Sequence, residues 1–341
     1  MISNIELKNF RLFDTKSIDT NNSLVILSGK NATGKTTILE GIYLCATTKS
    51  HRTTELEDLI KNDKEYAKAT ITEKKKYSAS VSKEGKAFFI NSKEISKSSE
   101  FIGNLKVVMF SPYDLELING SKGPRRRFLD LEISLLDKVY LTASMAYKKL
   151  LKERNELLKS SKDINLLALD VLTKQLIEQL EIISSKRIDF IKLINIELVE
   201  ISKELNVEEI SLEYEKTYLD DIYQSFKAKE KYDIISKTTN IGAHRDDFVI
   251  RINNKKASSY ASEGQIRTII IAIKLAIKKI IEKVTGEDPI LLLDDVFAAL
   301  DQTRIMSLIK YLKNTKQAFI TTASILDIPD ELLKDALVIR I

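Results

Sequence analysis

The chain has 341 residues, of which 43% are hydrophobic and 30% are charged, so it can bury an ordinary core and expose long charged helices. Its net charge of +5 is compatible with a nucleic-acid partner, and its single cysteine, Cys45, excludes an intrachain disulfide. The sequence has neither a signal-peptide core at its start nor an uncharged apolar run of about 18 residues, so we expect a cytoplasmic protein without a membrane partner.

The first predicted elements are strands. Alternating apolar residues at 5–10 indicate one strand, and the apolar run at 24–27 is typical of a buried parallel strand. Two further segments, 77–81 and 87–90, lie on either side of a Glu-Gly pair, which is a hairpin signal. The first part of the chain is therefore predicted to be rich in β-structure.

A phosphate-binding loop follows the second strand. Residues 29–36 match the pattern G-x-x-x-x-G-K-[ST] without a mismatch, and a predicted helix follows at once. Glycines let the backbone point its N–H groups at phosphate oxygens, and the helix N-terminus adds positive potential. We expect Lys35 to reach the β- and γ-phosphates of ATP during hydrolysis, and the Thr36 hydroxyl to bind Mg²⁺. The predicted nucleotide-binding residues of this loop are Gly29, Lys30, Asn31, Ala32, Thr33, Gly34, Lys35, Thr36 and Thr37.

Residues 125–241 contain neither glycine nor proline, and much of this stretch is predicted to be helical. Leucine and isoleucine recur at spacings near 3.6 from Leu176 to Leu205, interrupted only by Arg187. An earlier helix is predicted over residues 135–159. Two long helices joined by a short turn form an antiparallel hairpin.

Two aspartates end an apolar strand late in the sequence. Residues 290–293 are apolar, and Asp294 and Asp295 follow directly. A buried strand can bring a carboxylate to a metal beside the phosphate loop. Asp294 is therefore the predicted Mg²⁺ residue, and Asp295 is the predicted catalytic residue that orients or deprotonates the attacking water. A strand followed by a polar turn is the alternative that this segment allows by itself.

The segment containing Ser262, Gly264 and Gln265 begins a further predicted helix, and such a turn can bind an anion. In their order along the chain, the phosphate loop, this segment and the twin aspartates resemble the ABC-type ATPase heads of SMC-like proteins. That resemblance implies that Ser262, Gly264 and Gln265 contact the γ-phosphate bound by the other subunit of a dimer. It also implies that Asp301 lies in a loop at the same interface.

The sequence is more closely similar to the RecF family of bacterial DNA repair proteins, along nearly its whole length. The similar segments are residues 5–11, 29–43, 49–53, 110–115, 125–130, 244–247, 262–268, 290–296 and 319–322. We therefore predict an α/β fold, namely a P-loop ABC-type ATPase head built from both chain ends, with an inserted α-helical lobe containing an antiparallel helical hairpin. The predicted domains are an ATPase domain of residues 1–124 with 242–341, and a mainly helical lobe of residues 125–241.

The RecF resemblance implies a weak ATPase in recombinational repair. ATP would close a homodimer on DNA near single-strand gaps or junctions, and hydrolysis would open it. Partnership with RecR and help in loading the recombinase RecA are implied in the same way. The acid Asp295 is shorter than the glutamate of most relatives, so hydrolysis is expected to be slow. Thr321 lies near the place of the switch histidine of transport ATPases, and Glu263 replaces the more usual glutamine.

Four arginines are candidates for contacting DNA: Arg52, Arg125, Arg126 and Arg127. For Arg52, contact with phosphate and a structural or surface role are the alternatives. For the other three, a solvated helix start is the alternative. Arg11 is a nucleotide-binding candidate, because the corresponding strand lies near the nucleotide in SMC-like heads. The histidines His51 and His244 lie at no metal-ligand spacing, and residues 244–247 favour an internal salt-bridged turn.

Four other functions compete with this hypothesis. An ABC transport ATPase lacks support because the switch histidine is missing, and an SMC-like nuclease would need a carboxylate cluster that the sequence does not offer. A nucleotide switch that binds ATP but barely hydrolyses it, or another SMC-like ATPase not dedicated to gap repair, stays open. Single-turnover hydrolysis would separate the switch from an ATPase.

Overall fold

The computed structural model describes residues 1–160, 164–297 and 302–341, which fold into two compact units. The first unit comprises Met1–Leu115, Glu200–Val207 and Ser262–Ile341, and the second comprises Glu116–Val199 and Glu208–Ala261. The division into domains at 124/125 and 241/242 stays a prediction, because compactness alone does not define an independently folding domain. No helix in the described ranges combines the length and the apolar character needed to cross a bilayer.

Strands and helices are interspersed along the chain, with several runs of consecutive strands or consecutive helices. The strands are β1 (Asn4–Phe10), β2 (Phe13–Asp19), β3 (Leu24–Ser28), β4 (Tyr66–Thr72), β5 (Lys76–Ser82), β6 (Gly85–Ile90), β7 (Lys93–Ile95), β8 (Val107–Phe110), β9 (Ile210–Glu215), β10 (Asp247–Ile252), β11 (Lys255–Lys256), β12 (Ile290–Leu293), β13 (Ala318–Thr322) and β14 (Leu337–Arg340). The helices are α1 (Lys35–Thr47), α2 (Ser98–Phe101), α3 (Glu116–Asn119), α4 (Lys122–Leu136), α5 (Lys138–Lys159), α6 (Leu166–Glu204), α7 (Ile222–Ser236), α8 (Ala257–Tyr260), α9 (Glu263–Thr285), α10 (Gln302–Lys313) and α11 (Asp330–Leu333).

A five-stranded parallel sheet lies at the centre of the first unit, in the order β14-β3-β13-β12-β8. Its strands are short apolar runs, and β12 and β13 are buried throughout, as expected for a parallel sheet covered on both faces. The register pairs Thr322 with Ser28 and Ile320 with Leu293, so β3, β12 and β13 end at one edge. Ligands bind to parallel α/β sheets at this carboxyl edge.

A second, antiparallel sheet of the first unit has the order β2-β1-β4-β5-β6-β7. Helix α1 packs against strands of both sheets, and all but one of its residues are buried. Such all-round burial explains why this helix is apolar on every side. At Gly41 a β-carbon would come within 2.6 Å of Leu7 Cδ2, so the glycine lets α1 lie close to β1.

The second unit contains the predicted helical hairpin. Arg154 of α5 donates to Thr173 of α6 (Nε–Oγ1, 2.9 Å), whereas Arg187, further along α6, donates to Tyr140 near the start of α5 (Nε–Oη, 3.0 Å). The end of α5 thus contacts the beginning of α6, and a later part of α6 contacts the beginning of α5, as expected for antiparallel helices. This pairing confirms the hairpin.

The second unit also contains a strand that the sequence analysis did not predict. Strand β9 pairs with β10 in a three-stranded antiparallel sheet of order β11-β10-β9. The register sets Ile210 against Ile252 and Leu212 against Ile250, so the alternating apolar residues of both strands share one face. The stretch lacking glycine and proline is therefore mainly, but not wholly, helical.

Candidate nucleotide-binding site

The phosphate loop joins β3 to α1 and adopts backbone conformations that glycine favours. Gly34 has φ of +106°, and Ala32 has φ of +67°. A β-carbon at Gly34 would also lie 2.5 Å from Phe13 Cζ, so both the backbone and the available space require glycine there. Lys35 is buried, and its ammonium donates to the carbonyl oxygens of Gly29 (2.7 Å) and Lys30 (2.9 Å). The loop thus holds its lysine folded over its own backbone.

The twin aspartates lie beside the phosphate loop. Thr36 Oγ1 donates to Asp294 Oδ1 at 2.8 Å across a separation of 258 residues, and Thr321 Oγ1 of β13 donates to the same oxygen at 2.8 Å. Burial raises the pKa of Asp294, while the bonds from the two threonines oppose that rise. The backbone N–H of Asp295 donates to Thr321 Oγ1 (2.9 Å), and its φ of +49° is left-handed. Thr321 therefore positions both aspartates, a role that the sequence analysis did not assign.

The oxygens around Asp294 fit a small divalent cation. Mg²⁺ prefers oxygen ligands and is commonly held by a threonine hydroxyl, one carboxylate and the substrate phosphates. Thr36 and Asp294 supply the first two kinds of ligand, and their oxygens are already in contact. Within the described part of the chain, no cluster of three or more histidine, cysteine, aspartate or glutamate side chains could hold a metal ion by itself.

A cavity of about 800 Å³ opens in front of the phosphate loop. The predicted site residues that line it are Arg11, Asn31, Ala32, Gly34, Lys35, Thr36, Thr37, Arg52 and Asp295. The sequence analysis missed the other lining residues, which are Leu12, Asp58, Ile60, Lys61 and Asn62. These residues form no motif, and only their place in the fold brings them to the cavity.

Glu40 anchors one wall of this cavity, and the sequence analysis missed it too. It is fully buried in α1 and accepts two bonds from the guanidinium of Arg11, from Nε (2.9 Å) and Nη2 (2.8 Å). Burial opposes ionisation of Glu40, but the bonds from Arg11 and Ser50 outweigh it and hold the pKa of this carboxyl below its usual value. A lone acid inside the apolar helix after the loop was the available signal, because buried carboxylates need partners.

Comparison with known proteins agrees with this geometry. A model of the RecF/RecN/SMC N-terminal domain family matches residues 1–326. The DNA replication and repair protein RecF of Acholeplasma laidlawii is 41% identical, over 95% of this chain and 93% of its own length. RecF of Clostridium acetobutylicum is 38% identical, over 100% of this chain and 97% of its own. The chain belongs to the RecF family.

Solved structures place the RecF-family chain in the same fold. The recombination mediator protein RecF with ATP superposes with a TM-score of 0.88 at 29% identity, covering 96% of this chain and 93% of that one. An Smc head bound to the C-winged helix domain of ScpA, at 16% identity, shares the fold alone, with a TM-score of 0.55 over 99% of this chain and 93% of that one. The predicted ABC-type ATPase head, with its helical lobe, is confirmed.

The predicted signature segment begins α9 in this RecF-family chain. Ser262 Oγ accepts from the Gln265 N–H (3.3 Å), and Gln265 Oε1 accepts from the Ser262 N–H (2.8 Å), which is a capping box. Glu263 is exposed and pairs with Arg267 at 2.8 Å. Ser262 and Gln265 thus already serve the helix start, and contact with another subunit stays a prediction. Asp301 lies outside the described residues.

Arg125 and Arg126 of the RecF-family chain have internal partners. Arg125 pairs with the buried Asp247 and also donates to the carbonyls of Leu117 (3.3 Å) and Gly120 (3.0 Å). Arg126 donates to the Asp246 carbonyl (3.2 Å), and Arg127 is exposed. The turn at 244–247 is therefore salt-bridged internally, with the ion pair made to α4. DNA contact by these arginines stays a prediction.

Proposed function

We propose that the protein is an ATP-dependent DNA-binding protein of recombinational repair, in which ATP closes a homodimer on DNA and slow hydrolysis reopens it. The observation that carries this proposal is the contact between Thr36 and Asp294, which joins the phosphate loop to the second acidic motif at the carboxyl edge of one sheet. Membership of the RecF family, and the solved RecF structure with ATP, support ATP as the nucleotide.

The residues of the site divide the work of hydrolysis. Backbone N–H groups of residues 29–37 would hold the phosphates, and Lys35 would leave its two carbonyl partners for the β- and γ-phosphates. Thr36 and Asp294 would hold Mg²⁺, which supplies charge neutralisation when bound. Asp295 would orient the attacking water and accept its proton. Its short side chain supports slow turnover.

Dimerisation would complete the site. Ser262, Gly264 and Gln265 of one subunit would meet the terminal phosphate held by the other, with Asp301 at the same interface. Ser262 lies at the N-terminus of the 23-residue α9, where the helix dipole favours anions. Hydrolysis of the bond to the terminal phosphate would remove this contact between the subunits. Loss of the contact would allow the dimer to dissociate.

The DNA contacts would be mostly to phosphates, because a net charge of +5 supplies attraction without sequence information. Arg52, Arg125, Arg126 and Arg127 are carried forward as DNA candidates, and residues 125–241 as the inserted lobe. Binding at single-strand gaps or junctions, partnership with RecR, help to RecA and a cytoplasmic location belong to the same proposal. Relatives named DNA replication and repair protein RecF support the repair role.

The proposal is tested by the oligomeric state with and without Mg-ATP, measured by sedimentation for wild type, Lys35→Arg and Ser262→Arg. Wild type should dimerise with Mg-ATP, and both variants should stay monomeric. Ser96→Arg, at an exposed position, is the matched control and should behave as wild type. If both site variants dimerise normally, the ATP-joined dimer is wrong.

A second measurement tests DNA binding. Anisotropy binding to gapped, single-stranded and duplex DNA, with and without ATP, should show affinity falling about ten-fold or more between about 50 and 200 mM salt. A DNA affinity that does not change with salt concentration would contradict binding through charged contacts to phosphates. A DNA affinity that is the same with and without ATP would support DNA binding but contradict its control by ATP.

A further inference from the structure

The second unit has a cavity of its own, with a volume of about 280 Å³. Its lining includes the buried apolar side chains of Leu117, Ile118, Phe248 and Ile250. The charged residues of the lining are Lys122, Arg125, Glu215, Asp247 and Lys256. Ligand sites in proteins have this character, since they are mostly apolar with a few charged groups, and their volumes begin at roughly 300 Å³. The cavity therefore has the size and lining of a small ligand site.

The ion pairs of this cavity leave two lysines largely free for a ligand. Arg125 donates to both oxygens of Asp247, at 2.7 and 3.0 Å, so these two charges cancel. Lys122 lies 3.9 Å from the same carboxylate, and its side chain is 57% exposed. Lys256 is exposed and makes no ion pair with any residue that the structure describes. Because Glu215 is the one other acid of the lining, the cavity has an excess of one positive charge.

An exposed aromatic ring follows Lys256 after one helical turn. Tyr260 is the last residue of α8 and is 65% exposed. The ammonium of Lys255, which is exposed too, lies 5.0 Å from the centre of the Tyr260 ring. Ser258, between Lys256 and Tyr260 in the sequence, lines the cavity. Proteins that bind single strands combine lysines for the phosphates with exposed aromatic rings on which bases stack. The segment 255–260 provides both beside the cavity.

We propose that Lys122, Lys255, Lys256 and Tyr260 form a surface that binds single-stranded DNA, with the lysines on backbone phosphates and a base stacked on the tyrosine ring. The proposal rests on the proposed function, because it names a surface and a strand form for DNA binding. Bases of a duplex already stack on each other, so only an unpaired base can cover the exposed ring. An acidic peptide would meet the same lysines, but its carboxylates would gain nothing from the ring. Arg125 keeps its internal partner throughout.

The first test is the binding of oligothymidine and of duplex DNA, measured by anisotropy with Mg-ATP present. Tyr260→Leu should weaken oligothymidine binding about five-fold or more and leave duplex binding within about two-fold, because only unpaired bases stack on the ring. Tyr260→Phe keeps the ring and should bind oligothymidine as wild type does. Tyr232→Leu is the matched control, since Tyr232 is 56% exposed and has Lys229 at 6.0 Å, but does not line the cavity.

The outcome for Tyr260 decides whether its ring stacks on a base. Oligothymidine binding by Tyr260→Leu at the wild-type affinity would overturn the proposal. Equal losses for oligothymidine and duplex, or a loss in Tyr260→Phe as large as that in Tyr260→Leu, would also overturn it. A loss in Tyr232→Leu as large as that in Tyr260→Leu would show that the cavity confers no preference, and would contradict the assignment.

A second test concerns the lysines and uses the salt dependence of oligothymidine binding. The double variant Lys122→Gln, Lys256→Gln should lower the slope of log affinity against log salt by about 1.4, because each lost phosphate contact contributes roughly 0.7 for a single strand. The double variant Lys83→Gln, Lys86→Gln removes the same charge from exposed positions of the first unit and should keep the wild-type slope. Glu215→Gln should strengthen binding, because it removes an acid from the cavity.

These experiments separate the DNA surface from DNA binding itself. Wild type that binds neither form of DNA would contradict the proposed function, whereas a wild-type salt slope in the lysine variant would overturn only this surface. Poly-glutamate that displaces oligothymidine as well as unlabelled oligothymidine does would show a general anion surface and overturn the assignment. The substituted residues are exposed, so urea unfolding midpoints equal to that of wild type should show that each variant is folded.

Discussion

Arg125 of α4 pairs with Asp247 at the start of β10, through Nε–Oδ1 (2.7 Å) and Nη2–Oδ2 (3.0 Å). The two residues come from segments that the sequence analysis treated separately, a basic cluster and an acidic turn. Asp247 is 5% exposed and Arg125 14% exposed, so the ion pair is largely removed from solvent. Its geometry is the paired form in which arginine binds a carboxylate most strongly.

We predict that Arg125→Ala lowers the free energy of unfolding by about 3 kcal/mol, because the variant leaves the buried Asp247 without its principal partner. Urea unfolding measures the change. Arg127→Ala is the control and should change stability by less than about 0.5 kcal/mol, since Arg127 is exposed. Full stability of Arg125→Ala, together with weaker DNA binding, would show that this guanidinium serves DNA and not the fold.

The sequence predicted the phosphate loop well because its chemistry is local. Eight consecutive residues define the turn, and the predicted helix begins within the same motif. The position of the twin aspartates near the phosphate loop could also be predicted, because the carboxyl ends of parallel strands lie at the same edge of a sheet. The position of Asp294 beside Thr36 follows from that rule together with the order of the strands.

The partners of buried charged side chains could not be predicted from the sequence in the same way. Arg187 interrupts an apolar helix pattern, and the structure shows it buried against Asp130 (2.8 Å) and the Ala243 carbonyl (2.8 Å). Arg154 is likewise buried and pairs with Asp233 at 2.9 Å. Local periodicity does not show which distant acid pairs with an arginine. These contacts, the β9–β10 pairing and the cavity-lining residues outside the motifs therefore appear only in three dimensions.

Asp295 offers a clean test of catalysis because its backbone is left-handed, with φ of +49°. Asparagine tolerates this conformation, whereas alanine would add strain of about 1 kcal/mol. We predict that Asp295→Asn slows single-turnover ATP hydrolysis about 100-fold or more and leaves Mg-ATP affinity within about three-fold. Loss of the carboxylate removes the proton acceptor but keeps the size of the side chain.

Lys35→Arg provides the contrasting variant for this experiment, since it should disturb nucleotide binding itself. Hydrolysis by Asp295→Asn at the wild-type rate would assign the base to another group. A wild-type protein that binds Mg-ATP and hydrolyses it no faster than ATP is hydrolysed without protein would favour the nucleotide switch.

His51 lies in the same segment as Arg52 and is half-buried, with its ring and that of Tyr43 in an edge-to-face contact at 5.4 Å between centroids. Burial lowers the pKa of His51 to about 4, although the charge of Glu40 opposes this shift. His244 is also neutral, since burial lowers its pKa to about 4. Its Nε2 faces the Thr239 carbonyl, which can only accept, and its Nδ1 accepts from the Tyr147 hydroxyl.

Both histidines make stability depend on pH in one direction. The folded pKa of about 4 lies below the usual value of 6.5, so the unfolded chain binds more protons between these pH values, and stability falls as pH decreases through this window. We predict that each histidine lowers the free energy of unfolding by about 1 kcal/mol as the pH falls from 7.5 to 5.5, a range in which few carboxylates titrate. His51→Phe keeps the edge-on contact with Tyr43 and should reduce the pH-dependent loss by about that amount, measured by urea unfolding without nucleotide. A variant with the wild-type pH dependence would mean that His51 titrates at its ordinary pKa and is therefore reached by water.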